Sequence, residues 1–113
     1  MLRSVTASVA ARLDLSYDDI DDLRIAVDEG CAQLLEVASS AGQVTLRLSP
    51  QPDGLEITAS VLGEGEWPPR ALEDSLAWRV LSGLVDEVTF TREGATMEVR
   101  MVKRLPEEGR GAG

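Results

Sequence analysis

Apolar residues recur at helical spacing at Leu2, Val5, Val9 and Leu13, with Ala7, Ala10 and Ala11 between them, which predicts a short amphipathic helix at the start of the chain. Asp14-Leu15-Ser16 interrupts it. Ser16 followed by Asp19 has the form of a capping box, and the acidic turn Asp18 to Asp22 suits a helix N-terminus, so a second helix starts there. Its stripe is Ile20, Leu23, Val27, Cys31, Leu34 and Ala38, and the small residues Ser39-Ser40-Ala41-Gly42 predict its end. The period then changes from helical to alternating. Val44, Leu46 and Leu48 alternate with polar residues, Pro50 to Gly54 reads as a turn, and Leu55, Ile57, Ala59 and Val61 alternate again, which makes an antiparallel hairpin with one apolar face. Gly63 to Pro69 reads as a loop. Leu72, Leu76, Val80 and Leu84, with Ala77 and Leu81 beside them, predict a third helix. Val88 and Phe90, a Glu93-Gly94 turn, and Met97, Val99 and Met101 predict a second hairpin. Strands covered by helices on one face make an α+β fold, a two-layer sandwich with a mostly antiparallel sheet.

Composition narrows the function classes. The 113 residues suit one domain, taken as 1–105, followed by a tail over 106–113 that lacks core formers and reads as disordered. With four aromatics (Tyr17, Trp67, Trp78 and Phe90), the core has to be aliphatic. A formal charge of −9 disfavours a nonspecific hold on nucleic acid or anionic lipid. The charge is uneven: residues 1–65 carry eleven acids against four arginines, and the remainder nine acids against seven bases. That field suits solubility or a basic protein partner. Without histidine, and with Cys31 alone, neither a disulfide framework nor a structural zinc site is expected. No apolar run is long enough for a bilayer and no signal-peptide pattern opens the chain, which points to the cytoplasm.

The run Leu23 to Gln33, a helix bearing Glu29 and a carboxamide four residues later at Gln33, resembles the first nucleotide-binding box of the histidine-kinase-like ATPase superfamily, and more narrowly of the anti-sigma-factor serine kinases. Asp74 to Val88, Gly94-Ala95-Thr96 and Val99 to Arg104 are similar to the C-terminal half of actinobacterial members, so the resemblance spans residues 2 to 104. It implies the fold of those ATPases, binding of a sigma factor, competition by a STAS-type anti-anti-sigma protein, homodimers, and in kinase members transfer of the ATP γ-phosphate to a serine of that antagonist. By family position Glu29 is the general base, Gln33 stands where an asparagine holds Mg²⁺, Gly63 and Gly65 are the glycines of the second box, and Thr96 supports the phosphate end. Arg3 falls where members carry a partner-contacting arginine.

Other positions depart from that pattern. Val61 stands where the family has the aspartate that accepts from the adenine amino group, a bond an isopropyl group cannot make. Asp74-Ser75-Leu76 replaces the glycine-rich opening of the third helix, putting a carboxylate and Cβ atoms where backbone amides approach polyphosphate. Gln33 carries its carboxamide one bond further out, and the segment after Gly65 is short for an ATP lid. ATP and Mg²⁺ are therefore implied by the family while the boxes argue for a weakened site. Each residue also has a plain reading: Glu29 as a solvated carboxylate, Gln33 as a polar remnant, Cys31 as a small core residue, Arg3 as a surface arginine, Trp67 as a contact aromatic or a lid on the core, and Trp78 as partly buried. The expected function is a nonenzymatic anti-sigma module. The alternatives are a working serine kinase with an altered box and an ATPase-fold interaction module in another regulatory pairing.

Overall fold

A computed structural model describes residues 15–39 and 42–105. The helix expected over residues 2–13, Arg3 included, and the tail 106–113 lie outside the described residues. The elements run α1 (Tyr17–Leu35), β1 (Thr45–Gln51), β2 (Gly54–Leu62), a 3-10 turn (Leu72–Asp74), α2 (Leu76–Leu84), β3 (Glu87–Glu93) and β4 (Thr96–Arg104). This is the expected α+β arrangement, with a four-stranded sheet in the order β1-β2-β4-β3, antiparallel throughout. Among the described residues no helix is long and apolar enough to cross a membrane.

Ser16 opens α1 as its sequence predicts: its Oγ accepts from the Asp19 amide at 3.1 Å, and Asp18 and Asp19 fill the first turn. Leu23, Ala26, Val27, Gly30 and Leu34 are buried along one side of the helix, while Ile20 and Cys31 pack at the margin of the core. Gly30 faces Val99 and Met101 of β4. The alternation of the strands sorts their side chains cleanly: Leu55, Ile57, Ala59, Val61, Met97, Val99, Met101 and Phe90 lie under the helices. Each of these side chains except the smaller Ala59 contributes roughly 1.5–3 kcal/mol on burial. The opposite face is polar, with Arg100 bridging Glu56 and Glu87 across three strands.

Three boundaries differ from expectation. The α1 helix ends at Leu35 rather than at residues 39–42, because Val37 and Ala38 turn aside to pair with the end of β2, where Ala38 bridges Gly63. Pro50 and Gln51 continue β1 instead of turning; β1 is an edge strand, so the missing proline N–H costs no ladder bond. Leu72 falls in the 3-10 turn and not in α2. Ser75 breaks the continuous helix, its hydroxyl donating to the Leu72 carbonyl at 2.6 Å while its oxygen accepts from the Trp78 amide at 3.1 Å. As a result Leu76, expected on the apolar stripe, is 75% exposed, and the inner side of α2 is Ala77 and Leu81.

Of the two roles open to Trp67, the lid over the core is the one found. It is 5% exposed, stacks on Phe90 with centroids 5.0 Å apart, and donates from Nε1 to the Thr91 carbonyl at 2.9 Å. Trp78, half-buried as expected, meets Phe90 edge-on at 6.2 Å.

Lys103 ties the two layers together. Its Nζ donates to the carbonyl of Leu84, the last residue of α2, at 3.0 Å, and lies 3.4 Å from Asp19 and 3.7 Å from Asp22 of α1, with the side chain only 14% exposed. A cation there also satisfies the negative end of the α2 dipole. Lys103→Ala leaves two carboxylates and a carbonyl facing an apolar margin, and stability is expected to fall by about 1–3 kcal/mol in urea unfolding; an unchanged midpoint would show that the three contacts carry no net energy.

Candidate functional site

Glu29 and Gln33 are one helical turn apart on α1, and the structure brings them into contact: Gln33 Nε2 donates to Glu29 Oε2 at 3.0 Å, both residues being half-buried. Because α1 rises about 1.5 Å per residue, Gln33 sits roughly 3 Å and Glu29 roughly 9 Å short of the helix end at Leu35. That end is where Gly63 lies. Beyond the helix, Glu64 N donates to the Val37 carbonyl at 2.9 Å, Ser39 N to the Leu62 carbonyl at 3.0 Å, and Gly63 N to the Ala95 carbonyl at 2.9 Å. A Cβ on Gly63 would stand 2.2 Å from the Val37 oxygen, so the glycine is required by the close approach of two backbones. Gly65 is open to solvent, with φ at +99°.

An arginine that the sequence did not single out holds this loop. Arg92 Nη1 donates to the Gly65 carbonyl at 2.7 Å and its Nε to the Gly94 carbonyl at 2.9 Å, tying the loop after β2 to the β3–β4 turn. The available signal was an arginine beside the turn of a hairpin, which reads as an ordinary surface residue until the fold brings Gly65 to it.

Thr96 is not brought to Glu29 and Gln33. It pairs with Leu62 and Glu93, and since Met97, Val99 and Met101 point to the helices, Thr96 points to the other face of the sheet. There it lines a cleft of about 420 Å³ with Ser60, Thr45 and Gln43. Val61 also borders that cleft, but its side chain points into the core, 3% exposed beside Met97. At the start of α2 the Trp78 amide is already engaged by Ser75, directly after the carboxylates of Glu73 and Asp74.

Chemically, this set offers one half-buried carboxylate with an adjacent carboxamide. A carboxylate in that position can accept a proton from a hydroxyl, and a carboxamide oxygen can act as a hard-metal ligand. Among the described residues no group of three or more Asp, Glu, Cys or His side chains gathers that could hold a metal ion. Burial pushes the Cys31 thiol up, with the negative charge of Asp28 adding to the effect, so Cys31 is a neutral thiol near pH 7 and a poor nucleophile. Packing at the core margin agrees with its reading as a small core residue.

Residues 1–103 match the family profile of the histidine kinase-like ATPase domain. The chain belongs to that family. Among its relatives, the anti-sigma-F factor RsbW of Mycobacterium tuberculosis is 30% identical over 99 residues, covering 88% of this chain and 58% of the relative. The serine-protein kinase RsbW of Bacillus licheniformis is 36% identical over 67 residues, 57% of this chain and 42% of the relative. That of Bacillus velezensis is 28% identical over 124 residues, covering 93% and 77%. The chain thus spans about half the length of the first two of these relatives. In this histidine kinase-like ATPase domain the helix–sheet layers are in place, Glu29 and Gln33 lie on one helix, Gly63 and Gly65 follow β2, and Val61 is an interior residue.

The glycines separate a packing role from a ligand role. Gly63→Ala is expected to cost about 3 kcal/mol through overpacking against the Val37 carbonyl, and Gly65→Ala about 1 kcal/mol through backbone strain alone. Thermal unfolding of the two variants checks this, and a Gly63→Ala protein as stable as the parent would return that glycine to a ligand-binding role.

Proposed function

We propose that this chain is a nonenzymatic anti-sigma module: it captures a sigma factor through protein contacts, is released by a STAS-type anti-anti-sigma protein, and has a weakened or lost nucleotide site. The naming of relatives as anti-sigma factor and serine-protein kinase supports the partner class. The single observation that carries the loss of nucleotide binding is Val61, an apolar side chain sealed into the core where the family places its adenine-binding aspartate. An adenine amino group left without that acceptor costs about 1–3 kcal/mol, or roughly tenfold to a hundredfold in affinity.

Two further features argue the same way. Ser75 engages the α2 amide that would face phosphate, behind two carboxylates that repel it. Trp67, in the segment where a lid would lie, is committed to Phe90 and the Thr91 carbonyl. The residues present therefore do not fit ATP and Mg²⁺ well. Without a phosphate site to neutralise, an acidic chain is free to meet the basic surface of a sigma factor.

The test has two arms. Calorimetry with Mg-ATP should give no binding heat up to about 1 mM ATP; a dissociation constant near 10 μM would overturn the lost-site reading. Transfer of phosphate to a STAS partner, abolished in Glu29→Gln, would make the chain a kinase with Glu29 as its base. In the second arm the chain is expected to retain a sigma factor from its own organism on co-purification, with a STAS protein displacing it. Retention of neither would leave the ATPase-fold interaction module in another regulatory pairing.

A further inference from the structure

Away from α1, a groove runs between α2 and the edge strand β3. A cleft of about 440 Å³ is lined by Glu73, Asp74, Trp78, Val88 and Phe90 among others. A second of about 330 Å³ continues it, sharing Trp78, Val88 and Thr89 and ending at Asp86 and Glu87. The floor is aromatic and aliphatic. Trp78 is half-buried there and held edge-on to Phe90 at an interplanar angle of 61°, so the indole is positioned by the core.

The two ends of the groove differ in charge balance. Glu87 is paired with Arg100 and Arg104, and Asp86 accepts from the Arg104 amide at 2.6 Å. Glu73 and Asp74 are exposed and form no ion pair with the described residues. Uncompensated negative charge thus stands at one end of the groove, beside a fixed indole. The rim excludes phosphate-bearing ligands and favours a cation with a flat face.

We propose that this groove takes an arginine side chain from a basic segment of a protein partner, the guanidinium lying over the Trp78 indole with the Glu73 and Asp74 carboxylates as its acceptors. Arginine suits the site better than lysine because its planar, weakly hydrated head stacks on aromatic rings and forks onto carboxylates. The net charge of −9 steers such a segment in from solution. The inference does not rest on the anti-sigma reading, since any partner presenting an exposed arginine would satisfy the groove.

The experiment is an amide and indole NMR titration of the full chain with a short peptide carrying two arginines, alongside its citrulline and lysine counterparts. Saturable shifts are expected at the Trp78 indole N–H and at the amides of residues 71–74 and 88–90, with the Trp67 indole N–H, already bonded to Thr91, unmoved. The citrulline peptide should produce none, and the lysine peptide should bind severalfold more weakly. Glu73→Gln/Asp74→Asn is expected to weaken the arginine peptide about tenfold. Shifts centred on the acidic first turn of α1, or equal affinity for the arginine peptide in the double variant, would overturn the proposal, whatever the outcome of the sigma-factor experiment.

Discussion

The close crossing of two backbones at the end of α1 governs the arrangement of everything above the sheet. Val37 and Ser39 bond to Glu64 and Leu62, and Gly63 bonds in turn to Ala95. Three chain segments that are far apart in sequence therefore meet at one point. The crossing ends the helix at Leu35, demands glycine at position 63, and sets the distance from Glu29 and Gln33 to the loop that follows β2. A side chain at residue 63 would push the helix end off the sheet, and the carboxylate–carboxamide pair would move with it. The glycine thus serves the frame before it serves any ligand.

A second constraint acts at the other end of the layers. The sheet offers Lys103, and three groups from two helices converge on its ammonium. The acidic first turn of α1 therefore does more than complement a dipole, because Asp19 and Asp22 also draw the helix onto β4. With one end fixed by a backbone crossing and the other by a shielded lysine, α1 has little freedom to tilt. The negative charge left over, at Asp18 of α1 and at Glu73 and Asp74 before α2, faces solvent, whereas Asp21 is paired with Arg24.

Local signals made much of this legible. The capping serines at 16 and 75 mark the starts of α1 and α2 in the sequence itself, although at Ser75 the helical spacing of Leu72 and Leu76 masked the cap. Period-two alternation located both hairpins and the face of the sheet that is buried. The misses came from tertiary pairing: no periodicity reveals that Val37 will leave the helix for β2, or that Pro50 will sit on an edge. For the site, the Glu29–Gln33 contact follows from four-residue spacing, but the position of Thr96 does not. Thr96 was assigned by motif order, and strand alternation sets it on the face away from α1. Arg92 was invisible for the same reason, since its acceptors become neighbours only after folding.

The same parity rule sets the surroundings of Val61. At the end of β2 the odd positions face the helices and the even positions face the open side, so Val61 shares the interior with Met97 and Val99. An aspartate at that point would be a carboxylate in an apolar interior, costly unless a ligand supplies its partner. Valine carries no such cost in the free protein and offers no acceptor. On the proposed reading, valine at this position favours the empty fold at the expense of adenine recognition, and the fold itself makes the contact that matters.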